Sequence, residues 1–361
     1  MKHIPSIGFC LALGLAFAAE EAPPPAPVPP TEVAPATPPP EAPPAPPPPI
    51  VWEGIRIHPA EAFLEVDTRT CLESGIIELY ASSPGGKLHE SLLVILARPQ
   101  FIHFGLIILG LKEGRGCDVQ GGAQAPRGEP VDLFVEWLEG GKLWRARGED
   151  LIYNIHTKRR MEEGTWVFTG SRFVKDRNPN TGQERDIYLA NATGTLITTF
   201  RDPSSILDNA SEFSADDTSY VVNEALAPPA GPPVKLLIMP KGKGPAARRE
   251  LVVPALSEDD AARVPTLLEA AQGQDPAAAG EALKALAALG RPVLGEVRDR
   301  MEAAPDDAAR AVLQKLFMDV KVATPVWSRV CACQSPAPCQ GIVGPAQSDG
   351  RRHGGKSGIL V

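Results

Sequence analysis

The chain has 361 residues, enough for about two domains with cores of their own. Its 36 Lys and Arg residues are outnumbered by 44 Asp and Glu residues, giving a formal net charge of −8. This excludes a strongly basic nucleic-acid-binding surface of the usual kind, because neutralising a phosphate backbone requires an excess of positive charge. The 39 prolines are about twice the ordinary share and are unevenly distributed, so some segments cannot pack into a core.

The first residues are typical of a secretory signal. An uncharged run from Ile7 to Ala19 is too short to span a bilayer as a helix, and Ala16-Phe17-Ala18 has the small-x-small pattern of a signal peptidase site. We predict a signal peptide over 1–18 and a periplasmic or secreted mature protein with no transmembrane segment. Cys10 fits a lipobox poorly, since no apolar region precedes it, and we interpret it as part of the signal.

A proline-rich linker over 19–50 follows. Between Pro23 and Pro49 there are 16 prolines, which fix φ and remove backbone donors, so this segment is predicted to be disordered polyproline II. A stiff spacer that holds the folded part away from a membrane or wall is the favoured interpretation. A ligand for SH3-like grooves is the alternative.

Residues 51–240 have the pattern of a mixed domain. Alternating apolar runs predict strands at Ile55–Ile57, 62–66 and 76–80, and further strands at 165–169, 187–190, 193–200 and 234–239. The apolar run over 90–97 predicts a buried strand or the start of a helix. Residues 100–110 predict a core helix and residues 203–207 a short one. The sequence from 131 to 146, with Gly140 and Gly141 at its centre, predicts a hairpin. The fold class expected is α+β, an antiparallel-rich sheet with one or two core helices.

This segment also resembles a known family. The resemblance is carried by blocks in a fixed order, namely CLESGIIEL at 71–79, GKLHESLL at 86–93, IHFGLIILG at 102–110, VEW at 135–137, WVFTGS at 166–171, DPSSILDN at 202–209 and VKLLIMP at 234–240. These blocks are similar to those of the YdjY-type domain, a family of exported or periplasmic proteins without an established activity. Some members carry a ferredoxin-like label. Cys71 and Cys117 are too few for an iron–sulfur cluster, which requires four such ligands.

The sequence from 259 to 320 is rich in Ala, Leu, Glu and Arg and follows a linker over 241–258. Four helical patterns, at 265–272, 276–289, 292–303 and 306–318, recur with a spacing near 29 residues and resemble HEAT-like helical hairpins. Two such units bury little surface alone, so we expect this all-α segment to dock on the α+β domain or on a partner. The remaining residues, 321–361, predict a disordered tail containing cysteines.

The strongest candidate for chemistry is the loop formed by His89, Glu90 and Ser91. An imidazole, a carboxylate and a hydroxyl within three residues suit ligand binding or nucleophilic catalysis. In an extended segment only His89 and Ser91 share a face. The alternative is a hydrogen-bonded cluster that braces the loop, with His89 satisfying backbone groups. Ser171 is a weaker candidate ligand-binding residue. Gly170-Ser171 lacks the G-x-S-x-G pattern of a nucleophilic serine and predicts a turn.

The cysteines and histidines indicate no metal site or cofactor. Cys71 and Cys117 are expected to be buried thiols or a disulfide, which an oxidising compartment permits. The histidines lack the paired spacing of a zinc motif, and no dinucleotide or phosphate-binding loop is found. In the tail, Cys331, Cys333 and Cys339 lack a fourth ligand, so incidental or disulfide-linked cysteines are favoured over Zn²⁺ or Cu⁺ binding.

Two hypotheses of function remain. The first is a non-enzymatic binding or scaffold protein of the cell envelope, with an unknown protein or small molecule as partner. The second is an exported hydrolase that uses the loop of His89, Glu90 and Ser91. A concave pocket with perturbed pKa values around His89 would favour the hydrolase.

Overall fold

The computed structural model describes residues 47–177 and 180–323, which lie in the compact unit that begins at Pro46. The predicted signal peptide, most of the predicted proline-rich linker and the tail cysteines Cys331, Cys333 and Cys339 lie outside these residues.

Within the described part the strands are β1 Ile50–Trp52, β2 Ile55–His58, β3 Phe63–Thr70, β4 Leu79–Ser82, β5 Ser91–Ile95, β6 Glu129–Glu139, β7 Lys142–Arg147, β8 Ile152–Asn154, β9 Arg159–Arg160, β10 Trp166–Phe168, β11 Phe173–Arg177, β12 Glu184–Tyr188, β13 Thr195–Thr198, β14 Leu207–Asn209, β15 Tyr220–Val222 and β16 Val234–Pro240. The helices are α1 Pro99–Ile108, α2 Leu189–Thr193, α3 Ala246–Arg249, α4 Glu258–Ala271, α5 Pro276–Ala288, α6 Arg291–Glu302 and α7 Asp307–Ala323.

Eight strands pair into a closed ring in the order β3, β16, β6, β10, β14, β13, β4 and β5, with β5 returning to β3. The pairings are antiparallel except those of β13 with β14 and of β4 with β5. Strands β2 and β1 extend the sheet from β3, and β7 pairs with β6. The domain is therefore α+β with an antiparallel-rich sheet, as the sequence predicts.

Side-chain alternation along the strands divides the apolar residues between two clusters. In β16, Leu236 and Ile238 belong to the main core inside the ring, whereas Leu237 and Met239 form a small outer cluster with two phenylalanines. The main core includes the fully buried Trp166, whose ring meets that of Tyr80 edge to face at 5.0 Å.

Helix α1 and the β6–β7 hairpin confirm two local predictions. Pro99 lies in the first turn of α1, and Gly110 follows the helix with a φ of +88°. In the hairpin, Glu139 lies opposite Lys142, and the two turn glycines both have positive φ, which strongly favours glycine.

One local prediction is wrong and two are confirmed only in part. Residues 203–207 do not form a helix, because the Asp202 carboxylate accepts from the Ser204 amide at 2.7 Å and sets a turn that leads into β14. The strands predicted over 187–190 and 193–200 are found as the end of β12 and as β13, but their facing ends form α2, which ends at Gly194 in a left-handed conformation.

The segment predicted as a linker over 241–258 is partly packed against the sheet. Arg248 and Arg249 on α3 pair with the carboxylates of Glu136 at 2.8 Å and Asp132 at 2.7 Å. Their guanidinium groups also lie over two phenylalanine rings of the outer cluster. This segment therefore covers the outer face of β3, β16 and β6.

Helices α4 to α7 form the helical annex, which we define as residues 258–323. Helix α4 packs with α5 and α6 with α7, around a core that includes Leu286, Val297 and Phe317. Helix α4 begins at Glu258 rather than at Pro265, because Ser257 caps it and three acidic residues occupy its first turn. Pro265 thus lies inside the helix.

Candidate functional site

The loop of His89, Glu90 and Ser91 does not form a shared site. It makes one turn of 3₁₀ helix before β5, and the His89 side chain is 77% exposed, with its Nε2 3.4 Å from Glu90 Oε1. Ser91 is fully buried, and its hydroxyl lies 2.7 Å from the Lys87 carbonyl oxygen and 2.9 Å from Ser82 Oγ. The imidazole and the hydroxyl therefore point to different environments.

Glu90 and Ser91, together with Lys87, brace this loop. Lys87 Nζ lies 2.8 Å from Glu78 Oε2 and 3.0 Å from Glu90 Oε2, and Ser91 anchors the start of β5. The expectation that His89 satisfies buried backbone groups is wrong, because its side chain is largely in solvent. The three residues are adjacent in the sequence, but the 3₁₀ turn directs the His89 and Ser91 side chains to different environments.

A pocket of about 270 Å³ brings together Cys117 and Ser171, two candidates that the sequence treats separately. Its wall includes the segment 114–118 and the side chains of Thr169 and Arg172. Arg115 is exposed at this pocket and pairs with Asp118 at 3.0 Å. We call this the Cys117 pocket.

The thiol in this pocket is not an activated nucleophile. Burial, together with the nearby carboxylates of Asp208 and Asp202, raises the pKa of Cys117 to about 12. Burial also raises the pKa of Asp208 to about 6, although hydrogen bonds from the Thr198 hydroxyl and the Asn209 amide oppose the shift. Cys117 and the half-buried Cys71 form no disulfide with each other.

Ser171 serves the turn that it occupies. It has a φ of +60°, and its Oγ accepts from the Ala190 amide at 3.1 Å. Next to it, Tyr188 donates to the Gly170 carbonyl at 3.0 Å and shares a 2.6 Å hydrogen bond with His103 Nδ1. His103 Nε2 lies 2.7 Å from Glu113, so this buried network ties α1 to the pocket wall rather than activating the serine.

A larger site forms where the annex docks on the sheet domain. Arg291, at the start of α6, is 3% exposed, donates to the Ala227 carbonyl and lies over the Trp144 ring. Ala225 joins the annex core. Ion pairs surround this contact, linking Lys158 to Asp307, Arg160 to Asp299 and Glu302, and Lys321 to Glu224. The predicted docking of the helical segment on the α+β domain is confirmed.

Between the two parts lies a cavity of about 440 Å³, which we call the annex cleft. The sheet domain contributes Tyr153 and Val222, and the annex contributes Arg298, Met301 and Met318 among other residues. This volume falls in the range of small-molecule binding sites, whereas that of the Cys117 pocket lies just below it.

Arg298 is the notable polar group of the cleft. It is 9% exposed, and its guanidinium carbon lies 4.4 Å from the Tyr153 ring centre and 4.6 Å from that of Phe317. Its Nε is buried and donates to no acceptor among the described residues. Burial lowers the pKa of this guanidinium group.

The sequence interpretation missed this site. Tyr153 lies on a three-residue strand that the sequence pattern does not predict. Arg298 falls within the helix predicted over 292–303, but that pattern assigns it no special role. One signal was available, because Arg298 is four residues after Leu294 and next to Val297, on the apolar side of α6. An arginine at such a position predicts that its side chain is buried.

The described ranges 47–177 and 180–323 contain no grouping of His, Cys, Asp and Glu suited to hold a metal ion. In the same ranges, no helix has the length and apolar character needed to cross a membrane.

The described residues thus form a closed α+β sheet domain, which carries the Cys117 pocket, and a helical annex docked on it, with the annex cleft between them. Comparison with known families assigns the first part, since the YdjY domain matches residues 62–239. The chain is thus a YdjY domain-containing protein. The match ends at the last residues of β16, so the annex lies beyond it. Neither a curated protein nor a solved structure was found to match the chain.

Proposed function

We propose that this protein is an exported binding protein of the cell envelope and that the annex cleft is its ligand site. The signal-peptide pattern and the proline-rich spacer support an extracytoplasmic location. The observation that carries the proposal is the annex cleft itself, a cavity of about 440 Å³ with walls from both the YdjY domain and the annex. Sites of this kind form preferentially where two structural parts meet.

The geometry favours binding over hydrolysis. Ser91 is buried and bonded to the Lys87 carbonyl oxygen, and His89 lies in solvent, so the loop offers no paired nucleophile and base. Cys117, with its raised pKa, remains a thiol near neutral pH. Neither candidate supplies an activated group on which an exported hydrolase would depend.

A site-specific crosslink in intact cells tests this proposal. A photoreactive phenylalanine analogue would replace Gln314, an exposed residue that lines the annex cleft. The matched control places it at Lys315, the next residue on α7, which is 81% exposed and does not line the cleft. Loss of the Lys315 to Asp319 surface ion pair should have little effect on stability.

We expect a defined adduct from position 314 and none from position 315, recovered with the extracytoplasmic fraction and identified by mass spectrometry. Irradiation that gives no adduct at 314, or the same products at both positions, would contradict the proposed binding function. Recovery of the protein only from the cytosol would contradict the envelope location.

A further inference from the structure

We infer that the annex cleft recognises the carboxylate of an amphipathic ligand and that Arg298 is the residue that binds it. This inference rests on the proposed function and names the ligand chemistry of the same site.

The first step of the argument is the fixed orientation of Arg298. Its guanidinium group lies between the rings of Tyr153 and Phe317, at 4.4 and 4.6 Å from their centres. Aromatic rings stack on the faces of a guanidinium group and leave its N–H donors, which lie in the plane, directed to the edges. Because Arg298 lines the cleft, an acceptor in the cleft can reach such an edge.

The second step is the lack of a protein anion for this cation. Among the described residues, no carboxylate oxygen lies within 4 Å of the Arg298 nitrogens, and its buried Nε has no acceptor. The neighbouring carboxylates serve other cations, since Glu224 pairs with Lys321 and Glu302 with Arg160. The Tyr153 hydroxyl is the side-chain partner of the guanidinium group, and Glu224 and Glu302 act on it only from beyond 4 Å. The group therefore has no direct anionic acceptor and keeps an unsatisfied donor at Nε, so an incoming anion would gain an interaction that the fold leaves unmade.

The third step concerns the charge of the ligand. Lys158 and Arg310 also line the cleft, but both pair with Asp307. Glu224 adds a second carboxylate to the lining. Two carboxylates at the cleft disfavour a doubly charged phosphate, whereas a single carboxylate matches the two parallel N–H donors of one arginine.

The rest of the ligand should be apolar. The side chains of Met301, Phe317, Met318 and Val222 line the same cavity as Arg298. Methionine adapts its shape to varied apolar groups, which suits a cleft that accepts a chain rather than a rigid ring system. A free carboxylic acid and the C-terminus of a peptide that ends in apolar residues share this chemistry.

The test compares carboxylates with their neutral amides on the full-length mature protein. Calorimetric titration would use octanoate against octanamide, and N-acetyl-Leu-Val with a free against an amidated C-terminus. We expect at least one carboxylate to bind about tenfold or more tightly than its amide. Which of the two carboxylates binds more tightly identifies a free acid or a peptide end as the source.

The variant Arg298→Gln should abolish this preference, while the control Arg300→Gln should keep it, since Arg300 lies on the same helix, pairs with Glu296 and does not line the cleft. If Arg298→Gln unfolds, Arg298→Lys retains the charge without the planar fork and should reduce the preference several-fold. Amides that bind as tightly as their carboxylates, or a preference that survives in both Arg298 variants, would overturn the inference. A crosslinked adduct at position 314 in that case would leave the binding function intact.

Discussion

Two arginines seven residues apart on α6 show how one residue type takes two roles. Arg291 donates to the Ala227 carbonyl and has Glu139 at 3.5 Å, so its buried charge holds the annex on the sheet domain. Arg298 lies between two aromatic rings without a carboxylate partner among the described residues. Both arginines keep buried nitrogens without an acceptor, so their proposed roles differ only because Arg291 has the Ala227 carbonyl and the Glu139 carboxylate as partners and Arg298 has neither.

At the same scale, Asp208 predicts a pH dependence of stability. Its folded-state pKa of about 6 exceeds the ordinary value near 3.8, so the folded protein holds the proton more tightly than the unfolded chain. The resulting stabilisation is present below about pH 4 and is lost as the pH rises through 6. Relative to the parent, Asp208→Asn should therefore gain about 2 kcal/mol in unfolding free energy between pH 4 and pH 8.

Denaturant titrations of both proteins at the two pH values measure this gain. Asp216→Asn is the control, because the exposed Asp216 accepts from Thr218, which lowers its pKa and gives the opposite sign. If the difference in unfolding free energy between Asp208→Asn and the parent is the same at both pH values, burial does not disfavour the ionised form of Asp208.

At the scale of elements, the sequence predicts those whose signals are local. Proline at the start of α1 and paired glycines between β6 and β7 determine backbone geometry directly, and both elements are found. Strands β8 and β15 have only three residues each, so their pairing depends on tertiary contacts that no local pattern encodes. The annex cleft was missed for this reason, since Tyr153 and Val222 lie on those strands.

The same packing predicts where the sheet domain ends. A fragment of residues 47–253 retains Arg248 and Arg249, which pair with the buried carboxylates of Glu136 and Asp132. A fragment of 47–240 removes both arginines and uncovers the outer apolar cluster, although Arg145 and Arg147 still pair with the two carboxylates. We expect both fragments to unfold cooperatively without the annex, with the shorter one less stable by roughly 1–3 kcal/mol.

Thermal and urea unfolding of the two fragments provide the comparison. Equal stability would show that the segment after Pro240 is a simple linker. The absence of a cooperative transition in the longer fragment would show instead that the sheet domain requires the annex for folding.

For the whole molecule, the central feature is that the annex cleft lies between the YdjY domain and the helical annex and takes its walls from both. The YdjY domain holds its own closed core, with every strand of the ring contributing buried apolar side chains. The annex has a second core, joined to the first by Ala225 and Arg291. This arrangement places the proposed site outside the family domain alone, so YdjY proteins without such helices should lack it.

The methionines allow the most direct test of this claim. The described residues include two that line the cleft, Met301 and Met318, and two that lie in the sheet domain away from it, Met161 and Met239. In protein labelled with ¹³C at the methionine methyl groups, we expect the tighter-binding of octanoate and N-acetyl-Leu-Val to shift the NMR signals of Met301 and Met318 and to leave those of Met161 and Met239 unchanged. Shifts at Met161 or Met239 instead, or no methionine shift with either carboxylate at saturation, would contradict the proposed cleft.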